Sequence, residues 1–208
     1  MIAKAFSALL VLGALSGCSV YREATSPTAA FSADWRQAAT DSDRTKLRQW
    51  HRAWNEALPA AKAADAGAIA ADAHLFDPDR ALAGAPIPAG AYRCRTYKLG
   101  AQSAGNRAFT AYPWFDCRVS DEGELSSFHK ITGSQRPTGL LFKDTATRSV
   151  FLGTLVLGDE TSPLRYGIDS NRDMAGYVDK IGDQRWRLVF PYPRFESLLD
   201  VVELVPAG

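Results

Sequence analysis

Cysteine and histidine are scarce in this chain, three of each in 208 residues. His51, His74 and His129 lie far apart and form no close-spaced ligand pair, which excludes the recurrent zinc patterns. An excess of charge is missing too: 24 Lys and Arg stand against 23 Asp and Glu, a net charge of +1. Without a basic field to hold a polyanion, nucleic acid is excluded as a partner. No apolar run reaches the roughly 18 residues that a membrane-spanning helix needs, so a polytopic membrane protein is excluded. Gly-rich phosphate loops and the Gly-x-Ser-x-Gly nucleophile motif are absent. Nothing calls for a cofactor or a metal. What remains is 46% hydrophobic and 23% charged, values of a globular chain, with room for one domain of ordinary size.

The first seventeen residues read as an export address. Lys4 supplies a positive charge, and Ala5 to Ser16 is almost wholly apolar yet short for a bilayer. The run ends Leu15-Ser16-Gly17-Cys18, the pattern of a lipoprotein signal (residues 1–17), in which small side chains precede a cysteine that is acylated and becomes the mature N-terminus. Several acyl chains, each CH₂ worth about 0.8 kcal/mol in lipid, anchor a protein firmly. Ser19 follows where an Asp would favour inner-membrane retention, so the expected location is the outer membrane, with the body facing the periplasm. Loss of Lys4 leaves the mature chain neutral. Residues 18–33, rich in Ser, Thr, Ala and Pro, read as a flexible tether.

Residues 34–208 are expected to form a single globular domain. Its first part, 34–75, reads as helical. Thr40 is a fitting N-cap, with Asp41 and Asp43 facing the positive end of the helix dipole. Leu47, Trp50, Trp54 and Leu58 recur at helical spacing and predict one amphipathic stripe. Pro59 is expected to end that helix or to open the next, and the Ala-rich stretch 60–73, interrupted by Gly67, predicts a second, weaker helix. Residues 76–90 carry turn and linker chemistry.

From residue 91 to 206 the period changes to two. Strands are predicted near 91–99, 111–119, 125–132, 138–143, 148–157, 174–181, 184–190 and 198–205, with hairpin turns at Asp121-Glu122-Gly123, Asp144-Thr145 and Gly182-Asp183. About eight antiparallel strands behind an N-terminal helical segment make an α+β fold, predominantly β, closed as a barrel or packed as a sandwich. Val150 to Leu157 is apolar on both faces, and the Trp-bearing helix is its expected cover.

With Cys18 assigned to lipid, export predicts a Cys94–Cys117 disulfide. Placing the two cysteines directly opposite each other in a hairpin also pairs Arg95 with Asp116 and Tyr97 with Trp114, and leaves one discordant pair, Arg93 with Arg118. Candidate chemistry is thin. Ser134 with His129 as base would be the only hydrolytic pair, and no catalytic residue is assigned. Asp169, Asn171 and Asp173 begin like a calcium loop, but Met174 and Lys180 stand where Gly and Glu are needed. Asp159-Glu160 reads as a solvated pair. The segment 132–139 reads as a loop between strands that presents Ser134, Gln135 and Arg136 to a partner. Phe190-Pro191-Tyr192-Pro193-Arg194-Phe195 reads as a rigid inter-strand crossover.

The ordered segments Asp34-Trp35-Arg36, Tyr92-Arg93-Cys94-Arg95, Tyr112-Pro113-Trp114-Phe115, Thr132-Gly133-Ser134-Gln135-Arg136-Pro137, Phe151-Leu152-Gly153 and Trp186-Arg187-Leu188-Val189-Phe190-Pro191 resemble a bacterial family, domain of unknown function 4893. The resemblance spans roughly residues 34 to 206. It implies an envelope lipoprotein of Gram-negative bacteria and brings no activity. The expected role is a lipid-anchored binding or scaffold module for an envelope protein, a glycan or a small molecule. The alternatives are an envelope hydrolase and a barrel-type hydrolase inhibitor.

Overall fold

The computed structural model describes residues 33–208, so the export signal, Cys18 and the tether up to residue 32 lie outside the described residues. Short helices come first. α1 (Trp35–Ala38) starts at Asp34, whose carboxylate accepts from Arg36 N. α2 (Asp41–Arg48) is capped by Thr40, whose hydroxyl accepts from Asp43 N at 3.2 Å. α3 (Trp50–Ala64) follows after a break at Gln49, and α4 (Ala66–Ala71) is capped by Asp65. The single stripe expected from Leu47 to Leu58 is therefore split between two helices. On α3 the buried positions are Ala53, Trp54, Ala57 and Ala61, while Trp50 and Leu58 are only partly buried. Alanines let the helix axis approach the barrel more closely than a row of large side chains would.

α3 also runs straight through Pro59, against the expected stop. Proline removes one helical hydrogen bond, to the carbonyl four residues back. Here that residue is Asn55, and both Asn55 and Pro59 lie on the exposed face, where water can serve the carbonyl.

Among the described residues, the strands β1 (Gly90–Ala101), β2 (Phe109–Glu122), β3 (Leu125–Lys130), β4 (Gln135–Lys143), β5 (Arg148–Leu157), β6 (Asp173–Gly182), β7 (Arg185–Pro191) and β8 (Ser197–Pro206) form a closed antiparallel barrel in sequence order, with β8 pairing back onto β1. Closure removes the exposed edges that a sandwich would leave. β4 starts earlier than expected, so Gln135 to Gly139 belong to a strand and the connection from β3 is only residues 131–134.

The disulfide forms, with Cα atoms 5.9 Å apart, but in a different register. Cys117 lies opposite Tyr92 and Cys94 opposite Phe115, a slip of two residues that makes the bond diagonal. Arg95 therefore meets Trp114 rather than Asp116, and Tyr97 meets Ala111 rather than Trp114. The slip has a charge rationale. Arg93 now faces Asp116 and Arg118 faces Ala91, so no arginines confront each other.

Inside the barrel, Cys94, Cys117, Phe128, Phe151, Phe190 and Trp186 fill one end. Phe151 meets Phe128 and Phe190 edge to face, with centroids 6.1 and 5.4 Å away. Space for Phe151 comes from Gly153, paired with Gly139. A Cβ on either glycine would stand 2.3 Å from a carbonyl oxygen of the facing strand.

The outer face of β5 is covered by α1 and α2, since Trp35, Ala39 and Leu47 pack on Val150 and Leu152. The Trp54 helix instead covers the outer faces of β1, β7 and β8, against Tyr97, Leu99, Val189, Leu199 and Val201. That corrects the expected cover in part: Leu47 performs it, and Trp54 does not. The segment 76–82 wraps a fully buried Arg187. Its guanidinium donates to the carbonyls of Leu75 (2.8 Å), Asp77 (2.6 Å), Pro78 (3.1 Å) and Arg80 (3.1 Å), and pairs with Asp179 at 3.2 Å.

Candidate functional site at the barrel mouth

The connections β1–β2, β3–β4, β5–β6 and β7–β8 gather at one end of an up-and-down barrel, and there the interior stays open as a cavity of about 180 Å³. Its floor is apolar: Phe115, Leu155, Met174, Phe190 and Val202, the top of the packed interior. Its walls carry Lys98, Lys130, Asp200 and Tyr112, and its rim Ser134, Gln135, Asn171, Phe195 and Glu196.

Strand alternation sets the wall. Tyr92, Cys94, Thr96 and Lys98 share the inward face of β1, as Phe128 and Lys130 do on β3. On β2 a register shift opposite Arg95–Tyr97 changes the phase at Tyr112–Pro113 and brings Tyr112 to the mouth.

The two lysines differ in their partners. Lys98 Nζ lies 3.0 Å from Asp200 and 3.5 Å from Glu196. Burial opposes its charge, but these carboxylates outweigh it and hold its pKa above the ordinary lysine value. Lys130, 5% exposed, donates to the carbonyls of Thr132 and Gln135, both at 2.9 Å, and stands 3.6 Å over the Phe115 ring. Among the described residues no carboxylate lies within ion-pairing distance of it. Burial, then the charges of Arg136 and Lys98, bring its pKa down to about 8. Gly133 lets the loop close over this ammonium. Its φ is +91°, and a Cβ there would stand 2.6 Å from Lys130 Nζ.

Ser134 and Gln135 line the cavity, whereas Arg136 lies outside it. Its guanidinium donates to the carbonyls of Gly133 (2.8 Å), Gly158 (2.6 Å) and Glu160 (2.6 Å), bracing the β3–β4 and β5–β6 loops together. Ser134 is exposed at the rim, and His129 alternates with the inward-facing Phe128 and Lys130, so it sits on the outer face of β3. Among the described residues no hydrogen bond joins Ser134 to His129.

Two polar segments are fixed by contacts of their own side chains. Glu160 is a fastener rather than a solvated acid. It takes a two-pronged contact from Arg172, at 2.9 and 2.5 Å, and a bond from Leu157 N. The Arg172 bonds, reinforced by Leu157 N, hold its carboxyl down at about 2. The turn at 169–173 is held by its own side chains, with Asp169 accepting from Asn171 N and Asp173 from Gly167 N, both at 2.9 Å. Among the described residues, no three His, Cys, Asp or Glu side chains are grouped to hold a metal.

Sequence reasoning missed Lys98, Lys130 and the part of the β7–β8 hairpin that rims the mouth. The lysines had a signal: each sits in phase with the buried positions of its strand. The segment 190–195 is a hairpin end whose Pro193 and Phe195 lean over the cavity, and Tyr192 at its base donates to Glu56 at 2.9 Å.

Comparison with curated proteins and with solved structures yields no match. A family model, Domain of unknown function (DUF4893), matches residues 35–204, which takes in the helices and nearly all of the barrel. The chain therefore belongs to the DUF4893 family.

Proposed function

We propose that this protein is a lipid-anchored, non-enzymatic binding module of the bacterial envelope that takes a small molecule in its barrel mouth. The observation that carries the reading is the mouth cavity itself, with an apolar floor, charged walls and a polar rim inside a rigid closed sheet. Eight strands leave an interior that either packs solid or holds one small ligand. This barrel packs aromatic side chains through its middle and is open at the mouth. A cavity of about 180 Å³ compares with the roughly 150 Å³ that accepts benzene. The occupant is a compact molecule, or the end of a larger one.

Anchoring is supported by the Lys4, apolar-run and Leu15-Ser16-Gly17-Cys18 pattern, with Ser19 favouring the outer membrane and a periplasmic body. The Cys94–Cys117 bond agrees with an oxidising compartment. Intact-mass analysis of membrane-purified protein should show a chain starting at Cys18 with added acyl mass. A different N-terminus without acyl mass would refute the anchor. The cavity has its own reporter, because Met174 on its floor is one of only two methionines, the other being Met1. In protein labelled at the methionine methyl carbon, small compounds screened at millimolar concentration should move the Met174 signal. Val202→Trp, which fills the floor, should abolish those shifts. No moving compound, or shifts that persist in Val202→Trp, would overturn the binding role.

A further inference from the structure

Resting on the small-molecule reading above, we infer that the mouth selects a small organic anion, a carboxylate with a short apolar tail, with Lys130 as the group that receives its charge. Besides Arg172, Asp173 and Arg194, which are bonded to Glu160, Gly167 N and Asn171, the charged groups lining the mouth are Lys98, Lys130, Glu196 and Asp200. Asp200 and Glu196 are both directed at Lys98, at 3.0 and 3.5 Å. That leaves the Lys130 ammonium buried with carbonyls and an aromatic face for company and, among the described residues, no counter-charge. Buried charges without a counter-charge are costly. A carboxylate entering from the rim would supply the missing charge, while its tail lay on Leu155, Met174 and Val202.

Of the groups around Lys130, those that act on its charge are cationic. β1 brings Lys98, already paired, and β4 brings Arg136, while β2 contributes the neutral Phe115 and the phenol of Tyr112. From β8 and its preceding loop come Asp200 and Glu196, held by Lys98, and Arg194, whose Nε donates to Asn171 at 2.8 Å. Lys98 and Arg136 both disfavour the charged form of Lys130. An anion reverses that balance, so its binding draws a proton onto Lys130 wherever the free lysine is partly neutral.

Hexanoate, hexan-1-ol and hexylamine share a chain and differ in charge, which makes them suitable probes. Their binding is read from the Met174 methyl signal and by titration calorimetry in phosphate and in Tris buffer at pH 8. The expected result is hexanoate binding at least about ten-fold more tightly than hexanol, hexylamine weakest, and uptake of roughly half a proton with hexanoate alone. Lys130→Met should remove both the preference and the proton uptake, while Lys130→Arg keeps the preference and loses the uptake. If Lys130→Met fails to fold, the proton uptake of the native chain decides alone. Hexanol moving Met174 as readily as hexanoate, or hexanoate binding without proton uptake, would overturn the anion assignment and leave the cavity reading standing. Silence of Met174 toward all three probes and the wider screen would overturn both.

Discussion

Replacing Arg187 with Met should destabilise the protein more than any substitution at the mouth. Arg187 has no exposed surface and its guanidinium reaches the carbonyls of Leu75, Asp77, Pro78 and Arg80 as well as Asp179. Met roughly preserves the apolar stem but removes every donor. Removing one partner of a buried ion pair costs about 3–5 kcal/mol, because the other is stranded. Two effects moderate the loss. Asp179 keeps Arg148, at 2.8 Å, and the freed strap of residues 75–82 can open to water. Two effects add to it: the buried carbonyl of Leu75 and the partly buried ones of Asp77, Pro78 and Arg80 lose a charged donor, and Trp54 loses the guanidinium 5.3 Å from its ring. The expected loss therefore stays at about 3–5 kcal/mol. For a body of this size that is a fall in melting temperature of roughly 6–20 °C. Arg187→Lys, with three donors on one atom, should recover less than half of it. Urea denaturation gives the magnitude, and amide hydrogen exchange locates it, with faster exchange at the Leu82 amide, which bonds to Lys180 O at 2.8 Å. A loss below about 1 kcal/mol in Arg187→Met, with exchange unchanged, would refute the view that the strap is held by this side chain.

Other consequences can be measured on the same preparations. Replacing both Cys94 and Cys117 with Ala opens a loop of sequence separation 23 and should cost about 3 kcal/mol, read by thermal denaturation, with the barrel's circular dichroism retained. Gly153→Ala would put a methyl 2.3 Å from Thr138 O and 2.6 Å from the Phe151 ring. Overpacking of this kind costs about 1–3 kcal/mol, so the variant should melt clearly below the parent, and an unchanged melting temperature would contradict the close strand approach. Burial holds the Lys130 pKa at about 8, below that of an unfolded lysine. Between these values the unfolded chain binds more protons, so stability should rise with pH from about 8 toward 10 relative to Lys130→Met. A flat difference between the two chains over that range would contradict it.

The strands were legible in the sequence because a period of two and turn chemistry are local. Asp121-Glu122-Gly123, Asp144-Thr145 and Gly182-Asp183 mark hairpin ends within a residue or two of where β2, β4 and β6 finish. Thr40 as a cap was legible for the same reason, and the disulfide followed from reading the chain as exported, with two cysteines in adjacent strand-patterned segments. The pairing around that bond was not. Alternation assigns a residue to a face, and slipping a strand by two keeps every face the same, so Cys94 opposite Cys117 and the observed diagonal are equally consistent with the pattern. Only the cross-strand charges and the closing β1–β8 ladder separate them.

The candidate site was legible in pieces. Ser134 and Gln135 were nominated from their glycine-bracketed segment and line the cavity, but Arg136 from the same segment is spent on three carbonyls. Lys98 and Lys130 sit at inward strand positions that the sequence marks only as lysines out of place. The sequence by itself determined which residues alternate, which turns close and where thiols are available, since those depend on neighbours along the chain. The tertiary structure alone decided that Lys98 meets Asp200 about a hundred residues away while, among the described residues, Lys130 meets no carboxylate. Electrostatic partnership depends on distance in space, and that distance is set when the last strand closes on the first.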